Sequence, residues 1–269
     1  MPEAMSALRK RADRARRKLG LGVEHRSPFD NIYHCCVQRT ASQWFRLILN
    51  DEVVYRRTGM YVEPWINRGL DSANIEDAFP WRTIVAHLYI GKETFDSMPK
   101  PEKHRAFFVT RDPRDIVVSF YFAAKRSHRP IGGIPELRRR LEGLDEHAGM
   151  DVIIDTLDKW GLFRAQRSWG PPESDHGVRV FRYEDLAVDH RAFLGEVFDH
   201  LEIPISESEF EDLCERKSFK AVTGRDQGSE DATSHLRKGV PGDWVDKLHP
   251  DLVAKLDEVT RRLPAELGY

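Results

Sequence analysis

The chain has 269 residues, 40% apolar and 32% charged, with 42 Lys and Arg against 44 Asp and Glu. That length can bury a full core, and the balanced charge excludes the global basic field of a nucleic-acid-binding protein. No apolar run reaches the ~18 residues that span a bilayer and no secretory apolar region follows the N-terminus, so a cytoplasmic protein without an integral membrane segment is expected.

In chain order, residues 1–25 read as a basic extension, with Arg9, Lys10, Arg11, Arg14, Arg16, Arg17 and Lys18 near Leu8, Ala12, Ala15 and Leu19 at helical spacing. The apolar face is thin, which favours a solvated or packed helix over one lying on a lipid surface. Residues 26–269 read as one domain. Ile32–Val37 is a short apolar run suited to a buried strand, and a helix is predicted over about 42–56. Residues 57–80 read as irregular, with Gly59, Pro64, Gly69 and Pro80 among Tyr61, Trp65 and Phe79. Arg82–Tyr89 and Arg105–Thr110 are further strands, separated by a linker at Pro99–His104. Asp112 suits an N-cap and Pro113 a first helical turn, before a helix over Ile116–Lys125. Helices follow from about Glu136 and over about Met150–Ser168, then a strand at Val178–Tyr183. Helices near 189–201 and 206–216, a polar stretch from Thr223 to His235, and a last helix from about Pro250 complete the reading. Cys35, Cys36 and Cys214 are too few for a disulfide framework and read as reduced core residues, and no Cys/His cluster has zinc spacing.

Strands alternating with helices predict an α/β fold, a central parallel sheet flanked by helices. In such sheets ligands sit beyond the carboxyl ends of the strands, where Arg39, His87, Arg111 and Tyr183 all fall. Gln38-Arg39-Thr40-Ala41-Ser42-Gln43 joins the first strand to its helix. Unpaired N–H groups and the helix dipole favour an anion there, and Arg39, Thr40 and Ser42 are side chains that would hold one. Many such junctions bind nothing. The GxxxxGK[ST] of an NTP-hydrolysing loop is missing, which disfavours a nucleotide-dependent phosphotransferase.

Three stretches, CVQRTASQWF, VTRDPRDIVVSFYF and LRKGVPGDW, stand in this order. Together they resemble the cytosolic-type sulfotransferases, which have a P-loop-like fold and use 3′-phosphoadenosine-5′-phosphosulfate (PAPS), leaving 3′,5′-adenosine bisphosphate (PAP). The resemblance runs from about residue 31 to 245. The family loop PKSGTTW aligns with Gln38–Trp44, so the resemblance puts Arg39 in the position of the catalytic Lys. There it would bind the phosphosulfate and stabilise charge on the leaving oxygen. Thr40, Ala41, Ser42 and Gln43 take the positions of the other loop residues, with Ala41 replacing Gly and Gln43 replacing Thr. Trp44 matches a residue that packs on adenine, and also suits a helix core.

By the same resemblance Arg111 and Ser119 bind the 3′-phosphate, with Arg237, Lys238 and Gly239 as a second clamp. For Arg111 the plain alternative is an ion pair with Asp112 or Asp115. Arg82–Leu88 resembles RLIKTHL, which puts His87 in the place of the catalytic base, with Val85 where the family often has Lys. Tyr183 matches an adenine-contacting Tyr. Phe219 resembles a further adenine neighbour, and equally a helix core Phe. The resemblance implies PAPS as donor, no metal, and transfer to a hydroxyl, less readily an amine, of a small molecule, lipid or saccharide. A PAPS-binding protein without turnover is the rival. The stretches 57–80, 126–135 and 221–236 are expected to line the acceptor pocket, with Tyr61, Trp65, Phe79, Trp81, Tyr89 and Phe122 as its aromatic candidates. The family dimerisation pattern KxxxTVxxxE is not found after Trp244, which leaves the oligomeric state open.

Overall fold

The computed structural model describes residues 12–13, 15–63, 75–170, 174–175, 177–234 and 236–269. Leu8, Arg9, Lys10, Arg11, Arg14, Pro64, Trp65, Gly69 and His235 lie outside them. Six strands form one sheet: β1 (Asn31–Cys36), β2 (Tyr61–Glu63), β3 (Thr83–Tyr89), β4 (His104–Thr110), β5 (Ser174–Asp175) and β6 (Val178–Arg182). Their order is β2-β3-β1-β4-β6-β5, with every pairing parallel except the β5–β6 edge.

Strands β1, β3 and β4 are buried over most of their length because helices cover both faces. Along β1, Ile32 turns to one side and packs with Phe45, Ile48, Phe107 and Phe193. Tyr33 and Cys35 turn to the other and pack with Phe108, Ile116, Ile153 and Leu157. Cys35, Cys36 and Cys214 are free and buried, as expected. Among the described residues no helix is long and apolar enough to cross a membrane. Near the N-terminus, residues 15–18 are helical. Arg16 and Arg17 reach Glu52 at 2.7 and 3.1 Å and stack on the Tyr55 ring, so this part of the basic extension is packed.

Several boundaries differ from the sequence reading. The helix expected over 42–56 is two, α1 (Ser42–Leu49) and α2 (Glu52–Thr58). Asp51 caps the second by accepting from Val53 N–H, and Arg216 and Lys217 hold its carboxylate at 2.8 and 3.0 Å. The stretch 57–80, expected to be irregular, contributes the edge strand β2. Lys92–Ser97 is a short helix that was not expected. The helix expected over 116–125 begins earlier, as α3 (Pro113–Phe122), and ends in a wider π turn over Ala123–Ser127. The helix expected over 150–168 is also two, α4 (Glu146–Lys159) and α5 (Leu162–Ser168), parted at Gly161 with φ 78°. Helix α6 (Tyr183–Val188) follows β6, and α7 (Pro250–Val259) lies near the C-terminus.

Candidate active site

The loop from β1 to α1 runs through two left-handed residues, Arg39 at φ 74° and Ala41 at φ 62°. An L-residue in that region costs roughly 1–2 kcal/mol, so the loop is held by its surroundings. Thr40 is fully buried and donates to the Val37 carbonyl at 2.9 Å, closing its own turn. Ser42 Oγ lies 3.0 Å from the Tyr89 hydroxyl, whose pKa burial pushes up. Arg39 Nε donates to Ser119 Oγ at 2.9 Å, and its carbonyl accepts from Arg111 Nη1 at 3.0 Å. Burial, then the neighbouring Arg111 charge, pushes Arg39 down to about 10, so it stays charged at neutral pH.

Past β4 the chain turns into α3 through the pair expected from the sequence: Asp112 accepts from Arg114 N–H at 2.9 Å, and Pro113 opens the helix. Arg111 stacks on the Tyr183 ring at 4.2 Å and lies 3.8 Å from Asp115, so it makes the expected ion pair while remaining on the site. Asp115 also accepts from the Gly242 and Trp244 N–H groups at 2.6 and 3.1 Å, which pins the distant LRKGVPGDW loop to α3. Arg114 stacks over Trp244 at 3.8 Å.

Within that loop Arg237 is buried and reaches Asp243 at 2.5 Å and Glu230 at 2.8 Å, while Lys238 reaches Asp243 at 2.5 Å. Burial would raise the Asp243 carboxyl, but hydrogen bonds from Lys238 and Arg237 outweigh it and hold it below the usual range. Arg225 ties the preceding stretch down through the Leu236 and Arg237 carbonyls at 2.6 and 2.9 Å. Gly239 has φ 74°, and a Cβ there would meet the Phe219 ring at 2.6 Å. Phe219 is therefore packed over the RKG turn and is not a buried core side chain.

These segments enclose one cleft with an empty volume of about 1070 Å³. All the residues singled out from the sequence as catalytic or nucleotide-binding line it except Thr40 and His87. Thr40 is spent on its own turn. Trp44 serves twice, lining the cleft while packing in the core and donating from Nε1 to the Lys217 carbonyl at 2.6 Å. None of the lining residues is acidic, whereas Arg39, Arg111, Arg237 and Lys238 all are cationic. Cations ahead and carboxylates behind favour a multiply charged anion. Aromatic faces at Trp44, Tyr183 and Phe219 suit a planar ring beside it.

Tyr89, Gln38, His128 and Gln227 also line the cleft and were not singled out as nucleotide ligands. The carboxylates Asp115 and Asp243 were missed as organisers, although each sits inside a motif already noted. Of the aromatic acceptor candidates, Phe122 is buried beneath Arg237, whose guanidinium lies 4.8 Å from its ring, and Phe79 packs on Tyr33.

His87 is placed by a bulge: His34 pairs with Ala86 and Cys35 with Leu88, which leaves His87 as the extra residue of β3. It is 7% exposed, with Nε2 3.4 Å from Gln43 Nε2 and with Nδ1 buried and unpartnered. Gln43 therefore touches both the cleft and the imidazole. Burial, then the nearby Arg46 charge, pushes His87 down to about 4, so it is neutral at physiological pH.

Comparison with known proteins is consistent with this geometry. The chain is 22% identical over 237 residues to mouse Sulfotransferase 2B1, covering 80% of this chain and 65% of that one. It thus spans about 65% of the length of that relative. Among solved structures, mouse sulfotransferase SULT7A1 complexed with PAP superposes with a TM-score of 0.57 at 16% identity, over 90% of this chain and 91% of that one. A retinol dehydratase in a complex with retinol and PAP does so with a TM-score of 0.58 at 15% identity, over 89% and 82%. At these identities the likeness shows the fold. The family model described as "Sulfotransferase domain" matches residues 74–268, beginning after the Arg39 loop, and the chain belongs to that family.

Proposed function

We propose that this chain transfers a sulfuryl group from PAPS to a hydroxyl of an acceptor. The observation that carries the reading is the cleft itself. Four cations from three distant segments face one space, beside three aromatic side chains, at the carboxyl ends of the parallel strands. Arg111, Ser119, Arg237, Lys238 and the Gly239 backbone take the 3′-phosphate. Trp44, Tyr183 and Phe219 hold the adenine. Arg39 and the Ala41–Gln43 turn at the start of α1 hold the 5′-phosphosulfate.

His87 accepts the proton of the acceptor hydroxyl as its oxygen bonds to sulfur. The bond from sulfur to the 5′-phosphate oxygen breaks, and its electron pair stays with PAP. Arg39 stabilises that developing charge and, as a permanent cation, need not donate a proton. A neutral, buried imidazole is already in the form that accepts a proton. The retinol in the complex of the similar structure supports an apolar small molecule as acceptor. Residues 26–269 act as a single sulfotransferase domain behind the basic extension, in the cytoplasm.

The test is a transfer assay with sulfur-labelled PAPS over a panel of hydroxyl and amine acceptors, with His87→Ala as the control. Label should pass to a hydroxyl acceptor and should not do so with the variant. Transfer to amines alone would overturn the acceptor class. Nucleotide binding with no transfer to any acceptor would make the chain a PAPS-binding protein.

A further inference from the structure

Away from the cleft, three side chains converge on the surface. His147 is in the first turn of α4, His249 is the residue before α7, and Asp251 is in the first turn of α7. All three are exposed, and none lines the nucleotide cleft. His147 Nε2 lies 2.9 and 3.2 Å from the two Asp251 carboxylate oxygens, and His249 Nδ1 lies 2.5 Å from one of them. One nitrogen from each imidazole and one carboxylate oxygen all fall within 4.8 Å of one another. The two rings meet edge to face, with centroids 5.4 Å apart.

We propose that His147, His249 and Asp251 form a surface site for a divalent transition-metal ion, with zinc as the reference ligand. A tetrahedral shell with bonds of about 2.0–2.2 Å has ligand-to-ligand edges of about 3.3–3.6 Å. The carboxylate-to-imidazole separations of 2.5–3.2 Å are shorter, so the three side chains must open slightly to take the ion. Two imidazoles and a carboxylate, with the fourth position open to water, match the borderline-soft ions and not magnesium or calcium.

The helix pairing sets the ligand-bearing turns side by side. Lys255 on α7 reaches Asp151 and Asp155 on α4, both at 2.7 Å. His147 and Asp251 repeat the first of these pairings one turn earlier, so the helices run parallel with both N-termini at the site. Converging helix dipoles disfavour a hard cation held by charge alone. Coordinate bonds from imidazole nitrogen overcome this, with Asp145, Glu146 and Asp251 supplying local negative charge. The ion would staple α4 to α7. The two histidines are 102 residues apart, and so no sequence spacing announces the site.

The experiment is calorimetric titration of tag-free protein with zinc chloride, run on the wild type, His147→Ala, His249→Ala and the double variant. One saturable equivalent is expected, weakened at least about tenfold in each single variant, because each loses one of three protein ligands. Melting temperature should rise with zinc in the wild type and not in the double variant. Magnesium should do neither. Circular dichroism shows whether the variants are folded, and His147→Gln replaces the ligand in case His147→Ala is not. Equal zinc binding by wild type and double variant, or none by the wild type, overturns the site. The readout needs no turnover, so it stands or falls apart from the sulfotransfer reading.

Discussion

At one end of the cleft, Arg237 and Lys238 share the Asp243 carboxylate at 2.5 Å, and Asp115 binds two backbone N–H groups of the same loop. At the other end, Arg39 and Ala41 sit in left-handed backbone, Arg39 is a buried cation, and His87 is a buried neutral imidazole with an unpartnered nitrogen. The cations of the first end are paired with a carboxylate before any ligand arrives, although Arg237 Nε is buried without a partner. The second holds a charge at Arg39 that burial disfavours and a buried imidazole nitrogen with no partner at His87, as functional sites commonly do. On the proposed reading, anchoring and chemistry fall to separate stretches with different local physics, and substitutions at the two ends should behave differently.

The largest effect is expected at the reacting end. His87→Ala should lower turnover by about 10²–10⁴-fold, the usual contribution of a general base, while PAP affinity stays within about twofold. Single-turnover transfer and calorimetry read the two separately. An equal loss of both would erase the distinction between the ends.

At the anchoring end, Asp115→Ala removes the acceptor of two N–H groups and the carboxylate nearest Arg111. It should cost about 3–5 kcal/mol of stability, as breaking a buried charged network does, and should weaken PAP binding. Denaturant unfolding checks the first. Unchanged stability would mean that the loop is not held by this carboxylate.

His34 sharpens the contrast behind the reacting end. It is fully buried, stacks on Phe107 at 4.5 Å and has no hydrogen-bond partner at either nitrogen. Burial, then the His87 charge, drives its pKa well below 6.5. The same holds for His87, so below pH 6.5 the unfolded chain binds protons that the folded chain refuses, and stability falls as pH falls. His34→Leu should therefore raise stability by about 1–3 kcal/mol, with the larger gain at pH 5 than at pH 8. Thermal melts at the two pH values test it, and a gain independent of pH would contradict the assignment.

The smallest effect is at Ala41. Ala41→Gly should relieve the left-handed strain and raise stability by up to about 1 kcal/mol, read as a shift in denaturant midpoint. A loss would show that Ala41 is favoured by contacts that the backbone angle does not reveal.

Of the four interior strands, β1, β3 and β4 were legible because burial on both faces makes each a mostly apolar run, β6 by Val178, Val180 and Phe181 between its arginines, and Asp112-Pro113 marked the start of α3. The edge strands were not: β2 has three residues and β5 two, too few to show a period. The breaks between α1 and α2 and between α4 and α5 were hidden because apolar spacing carries on across them. What stops the helices there is the Asp51 network and the Gly161 turn. Most of the candidate site was legible because its four cations and Trp44 lie in three dense motifs, with Tyr183 and Phe219 outside them. Its organisers were less so. Asp115 reads only as a possible ion-pair partner of Arg111 and Asp243 carries no role, until tertiary structure places both behind the cations. The bulge that sets His87 apart leaves no mark in composition.

The central claim is that two distant segments form a clamp for the 3′-phosphate. Its most direct test is calorimetric titration with PAP and, separately, with 5′-AMP, with no metal added. Charge-assisted contacts contribute about 1.5–3 kcal/mol each, so PAP should bind at least tenfold more tightly, and Arg111→Ala should remove most of the difference. Equal affinity for the two nucleotides, or no binding of either, would contradict the account.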